Sequence, residues 1–90
     1  MLVENDIVLS RAIQEYLTNQ GFNVYIANNG LEAFNLANQH NLNLIISDIM
    51  MPLVNGYELL EKLQKTKALS KIPVIFLFRL SMKNTNGLKI

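Results

Sequence analysis

The stretch Leu44-Ile45-Ile46-Ser47-Asp48-Ile49-Met50-Met51-Pro52-Leu53-Val54-Asn55-Gly56-Tyr57-Glu58-Leu59-Leu60 decides how this chain is read. From Leu42 to Ser47 the apolar residues are nearly continuous, which suits a strand covered on both faces. Asp48 closes the run, and Pro52 and Asn55-Gly56 mark a loop. From Tyr57 to Lys67 the period becomes helical, with Leu59, Leu60 and Leu63 predicted to face inward. A buried strand, an acidic residue at its carboxyl end, a loop and an amphipathic helix make one βα unit.

The same alternation extends in both directions. Met1 to Glu4 is a short apolar start that reads as the end of a strand. Asp6 can cap a helix, because its carboxylate can accept from first-turn N–H groups. Leu9, Ile13, Tyr16 and Leu17 follow at helical spacing, and Gly21 is a natural stop. In Phe22 to Ala27, apolar Phe22, Val24 and Ile26 alternate with Asn23 and Tyr25, which predicts a strand. Asn28-Asn29-Gly30 signals a turn, and a helix fits Leu31 to Gln39 with Leu31, Ala33, Phe34 and Ala37 inward. After Lys71-Ile72-Pro73, Val74 to Phe78 reads as another buried strand, and a weak pattern from Arg79 could begin a fourth helix. Strands alternating with helices predict an α/β sandwich on a parallel sheet with right-handed crossovers.

Composition narrows the function classes. The 90 residues carry a net charge of +1 and half are apolar, enough for one small packed domain, 1–90. The near-neutral balance argues against nucleic acid or a membrane surface as partner. With no cysteine, disulfides and thiolate metal sites are excluded. No apolar run approaches the roughly 20 residues of a membrane span. A cytoplasmic location is expected, with a plastid stroma as a minor alternative suggested only by the abundant asparagine.

Only two aspartates occur, Asp6 and Asp48. Ligands of open α/β sheets bind at the carboxyl ends of the strands, where Asp48 is placed. If the strands ending at Glu4 and Asp48 are neighbours, Glu4, Asn5 and Asp48 share one rim, and their oxygens suit a hard cation such as Mg2+. The plainer alternative is that Asp48 merely ends a strand and begins a turn. His40, the single histidine, reads as a surface residue.

The stretch from Leu44 to Leu60 closely resembles the phosphorylation segment of response-regulator receiver domains, the CheY-like modules of two-component systems. Leu2-Val3-Glu4-Asn5-Asp6 looks like that family's first strand and acidic pair. Gly21-Phe22-Asn23-Val24 with Ala27-Asn28-Asn29-Gly30-Leu31-Glu32-Ala33 looks like its second strand and second helix start. Ile72-Pro73-Val74-Ile75-Phe76-Leu77 looks like its fourth strand. The resemblance thins after Leu77. It implies a flavodoxin-like, doubly wound parallel sheet, here incomplete, with about four strands and three to four helices. It also implies phosphorelay signal transduction. Asp48 would become an aspartyl phosphate, taking the phosphoryl group from a sensor histidine kinase or phosphotransfer protein. Mg2+ would be held by Asp48 directly, by the Met50 carbonyl, by Asn5 and, through water, by Glu4. Pro52 would shape the loop and Gly56 would permit a tight approach. The chain would be a substrate of the relay and not an enzyme.

Four departures from the family pattern stand out. Asn5 replaces the usual second acid, so Mg2+ should bind more weakly; Asp6 either substitutes in part or serves only as a cap. Phe78 stands where a threonine or serine contacts the phosphoryl group, and a phenyl ring donates no hydrogen bond. Arg79 follows where a small residue is usual. The family's fifth strand, fifth helix and phosphate-binding lysine have no counterpart, and neither Lys83 nor Lys89 is at the matching position. By the same comparison the first strand is trimmed. Truncation at both ends leads us to expect a marginal or aggregation-prone domain. These departures keep open a degenerate receiver that docks proteins without phosphorylation, or a non-functional truncated product. An aspartyl-nucleophile phosphatase is disfavoured, because such enzymes usually need an acid where Met50 stands.

Overall fold

The structure, a computed structural model, describes residues 1–78. Arg79, Lys83, Lys89 and the expected start of a fourth helix lie outside the described residues. In chain order the elements are β1 (Leu2–Val3), α1 (Ile7–Asn19), β2 (Ile26–Ala27), α2 (Gly30–Gln39), β3 (Ile45–Asp48), α3 (Gly56–Lys65) and β4 (Val74–Leu77). The strands form one parallel sheet in the order β2-β1-β3-β4. The expected α/β class and flavodoxin-like winding are thus present.

Winding follows from strand order and handedness. The step from β1 to β2 runs one way across the sheet, whereas β2 to β3 and β3 to β4 run the other way. Right-handed crossovers then place α1 on one face and α2 and α3 on the opposite face. Between the sheet and the α2–α3 layer lies the core of Val3, Ala27, Ala33, Ala37, Ile45, Leu59, Leu63 and Leu69. Leu59 and Leu63, four residues apart, share one face of α3, and burying each contributes about 2 kcal/mol. Lys62 extends over the Phe34 ring, 5.7 Å from its centre, closing the α2–α3 seam from outside.

Each helix begins where a side chain satisfies its first N–H groups. Asp6 Oδ1 accepts from Leu9 N at 3.0 Å, Asn29 Oδ1 from Glu32 N at 2.8 Å, and Asn55 Oδ1 from Glu58 N at 2.9 Å. Asp6 therefore fills the capping role foreseen for it. α1 follows with Gly21 at φ 95 after it, a left-handed conformation that favours glycine.

Several expectations need correction. The strand predicted from Phe22 pairs only at Ile26 and Ala27, because its partner β1 spans just Leu2 and Val3. One further bond, Leu2 N to Tyr25 O at 2.8 Å, precedes it, and Phe22 is exposed. Leu31 is also largely exposed. It lies about 200° around the helix from Ala33, which together with Ala37 faces the sheet. Tyr16 is exposed while Leu9, Ile13 and Leu17 are half-buried, so α1 is covered on a narrower stripe than its sequence suggested. β4 is not buried on both faces: Ile75 is 52% exposed. His40 is half-buried, its ring stacked on Tyr25 with centres 4.2 Å apart.

Candidate functional site

The direction of winding reverses between β1 and β3, which makes the carboxyl ends of these two strands the crevice where such sheets bind ligands. Val3 is in register with Ser47. Carrying that register one residue further sets Glu4 beside Asp48. Glu4 is fully buried; its backbone N–H donates to Ala27 O at 3.0 Å, and its carboxylate Oε2 accepts from Asp6 N at 3.0 Å. Asp48 is 3% exposed, and its Oδ1 accepts from Ile49 N at 2.9 Å. Ser47 Oγ donates to the Asp48 carbonyl at 2.8 Å, fixing the end of the strand.

Two buried carboxylates thus stand on adjacent strands, and their oxygens are of the kind a hard cation takes. Asn5, the residue after Glu4, is exposed, and Met50 is 78% exposed. What these two can offer is therefore an amide oxygen and a backbone carbonyl. Among the described residues no three His, Cys, Asp or Glu side chains are grouped to hold a metal. A metal here would draw on the mixed set of Glu4, Asn5, Asp48 and the Met50 carbonyl. Every donor in that set is oxygen, as a hard cation requires.

The loop between Asp48 and α3 is tightly constrained. Gly56 N donates to Ile49 O at 2.8 Å, and Val54 N donates to Pro52 O at 2.9 Å around Leu53. Leu53 has φ 68, and it alone among the described non-glycine residues has positive φ. That three-residue turn is a strained type, and such strain collects at functional sites. Gly56 meets the expectation of a close approach. A Cβ there would lie 2.6 Å from Asp48 O and 3.0 Å from Phe76 Cε1. Tyr57, the next residue, packs edge-on to Phe76 at 5.2 Å. Phe78, in the position expected to offer a hydroxyl, is 83% exposed.

Sequence reasoning singled out Glu4, Asn5, Asp48, Met50, Pro52 and Gly56, and the fold gathers the strands and loop that carry them. It missed Leu53, whose positive φ has no signal in a leucine. It also read Gly30 only as part of a turn, whereas Gly30 touches the loop after Asp48. Asn29, whose side chain caps α2 by accepting from Glu32 N, could have flagged a fixed helix start there.

A family model described as the response regulator receiver domain matches residues 1–89. A probable transcriptional regulator ycf29 from Pyropia yezoensis is 86% identical over 77 residues, spanning 86% of this chain and 35% of that protein. The response regulator Rre1 from Synechocystis is 38% identical over 78 residues, 86% of this chain and 34% of that protein. The chain thus spans about a third of the length of these curated relatives. Among solved structures, the signal receiver domain of a histidine kinase from Syntrophus aciditrophicus aligns with TM-score 0.82 and 34% identity, covering 89% of this chain and 61% of that one. The receiver domain of the sensor histidine kinase PA1611 from Pseudomonas aeruginosa, which has a magnesium ion coordinated in its active-site cleft, shares the fold at TM-score 0.83 and 22% identity, covering 94% of this chain and 70% of that one.

Proposed function

The chain belongs to the response-regulator receiver domain family, and from that premise we propose that Asp48 accepts a phosphoryl group from a sensor histidine kinase or phosphotransfer protein. The supporting observation is the buried Asp48 carboxylate at the switch point, oriented through Oδ1 by Ile49 N and set beside the buried Glu4. A carboxylate oxygen of Asp48 forms the O–P bond as the P–N bond of a phosphohistidine breaks. The electron pair of that bond leaves with the imidazole, which takes up a proton. The product is an aspartyl phosphate. In this reading the chain is a substrate of the relay, not a turnover enzyme.

The oxygen set fits Mg2+: Asp48 and Asn5 would hold it through side-chain oxygens, Met50 through its carbonyl, and Glu4 through water. When bound, the ion neutralises charge on the phosphoryl oxygens and on the two carboxylates. Glu4 contributes charge, and its bond from Asp6 N keeps the β1–α1 turn closed against the rim. No helix among the described residues is long and apolar enough to cross a membrane. The compartment assigned is the cytoplasm, with the plastid stroma as alternative, and no direct nucleic-acid contact is assigned to these residues.

Phe78 favours a second reading, a docking module that is never phosphorylated, because the ring cannot supply the switch hydroxyl. Phosphoramidate, whose P–N bond mimics a phosphohistidine, separates the two. Mg2+-dependent transfer to the wild type, absent in Asp48→Asn, is the expected result. A folded protein that takes no phosphoryl group would leave the docking reading.

A further inference from the structure

We propose that Gly30, at the start of α2, is a positioning residue for the rim: it holds the loop after Asp48 in place through its contact with Val54. Gly30 N donates to Val54 O at 3.0 Å. Gly56 N to Ile49 O, Val54 N to Pro52 O and Ile49 N to Asp48 Oδ1 all lie within the segment from Asp48 to Gly56. The Gly30 bond ties that segment to the start of α2.

The tie needs glycine. A Cβ at Gly30 would stand 2.2 Å from Val54 O, 2.8 Å from Val54 C and 2.8 Å from Val54 Cβ. Two of those atoms are backbone, so a methyl group could be admitted only by moving the loop. The other side of the contact is firm. Asn29 Oδ1 accepts from Glu32 N, and Glu32 Oε2 accepts from Asn28 N at 3.2 Å, so the N-cap and the residue before it are both tied to the first turn. Ala33 and Ala37 anchor the same helix in the core. On the loop side, the left-handed Leu53 precedes Val54 and sets the course of the chain into that contact. α2 thereby acts as an abutment, and the loop that carries Met50 rests on it.

The inference rests on the phospho-acceptor reading for its effect on chemistry, but not for its effect on the loop. Two variants break the tie from opposite sides. Gly30→Ala adds the methyl group. Leu53→Ile, at an exposed position, disfavours positive φ because β-branched side chains tolerate it poorly. Ala37→Gly serves as the control, weakening α2 without touching the loop. Amide hydrogen exchange is read at Val54 and Gly56 by NMR in the full chain. In both loop variants exchange should be at least ten-fold faster than in the control. The Mg2+ concentration for half-maximal labelling by acetyl phosphate should rise by at least five-fold, against less than two-fold in the control. Unchanged exchange at both amides in folded Leu53→Ile overturns the proposal, even if Gly30→Ala fails to fold. Faster exchange with an unchanged Mg2+ requirement also overturns it, since the loop would then move without consequence for the rim. If the wild type takes no label, the phospho-acceptor reading falls and exchange alone decides whether Gly30 holds the loop.

Discussion

Asn5 is one residue beyond the buried Glu4 and exposed, so its substitution changes charge at the rim without disturbing the core. Asn5→Asp should therefore leave the melting temperature nearly unchanged and lower, several-fold, the Mg2+ concentration needed for half-maximal phosphorylation, because a charged oxygen binds a hard cation more tightly than an amide. A Mg2+ titration of the acetyl phosphate reaction measures this. Gly56 is the opposite case, a residue with no room to change. Gly56→Ala drives a Cβ to within 2.6 Å of Asp48 O and should destabilise the chain by about 1–3 kcal/mol in urea unfolding. Both positions could be picked from sequence, Asn5 from its neighbours in the acidic cluster and Gly56 from the Asn-Gly turn. Leu53 could not, because its φ is imposed by the Pro52–Val54 bond and not by its own preference. Gly30 was visible as a turn residue, but its contact with Val54 joins segments more than twenty residues apart.

Helices were more legible than strands. Each helix carries its own start signal, Asp6, Asn29 or Asn55, and its own period, so the expected and observed boundaries of α2 and α3 agree within about two residues. Strand limits depend on partners elsewhere in the chain. Phe22 to Tyr25 alternates like a strand yet stays outside the paired register, because β1 pairs only through Leu2 and Val3. The caps make a test at this scale. Asn55 both accepts from Glu58 N and donates its backbone N–H to Glu58 Oε1 at 3.2 Å. Asn55→Ala should cost about 1 kcal/mol, read as a lower midpoint in urea. Further along α3, the Lys65 ammonium donates to Glu61 Oε1 at 2.8 Å and holds the Glu61 carboxyl below its ordinary value, by hydrogen bond first and charge second. A lowered folded-state value means any stabilisation is present above the unfolded-state value and is lost as pH falls through the folded one. Both side chains are largely exposed, so solvent screens the pair, and Glu61→Gln should leave the melting temperature unchanged within error at neutral pH.

At the scale of the whole molecule, the described helices cover the two faces of the sheet unequally. α2 and α3 seal one face with the core, while on the α1 side Ile75 stays half exposed and α1 itself leaves Ile7 and Val8 in solvent. Apolar surface of this kind promotes association. Ile75→Lys should therefore reduce concentration-dependent self-association of the 90-residue chain, measured by light scattering, with little loss of stability. Topology also sets how far the rim was readable. One strand order, β2-β1-β3-β4, sets Glu4 and Asp48 side by side from opposite halves of the chain; the alternation of strand and helix predicted a parallel sheet, but the adjacency of β1 and β3 was only a condition until the strand order was seen. Whether Asp48 accepts a phosphoryl group is read by intact mass after incubation with acetyl phosphate and Mg2+, with Asp48→Asn in parallel and circular dichroism to establish folding. A single phosphoryl adduct is expected on the wild type and none on the variant. A folded wild type without an adduct, or an adduct that persists in Asp48→Asn, would contradict the acceptor role of Asp48.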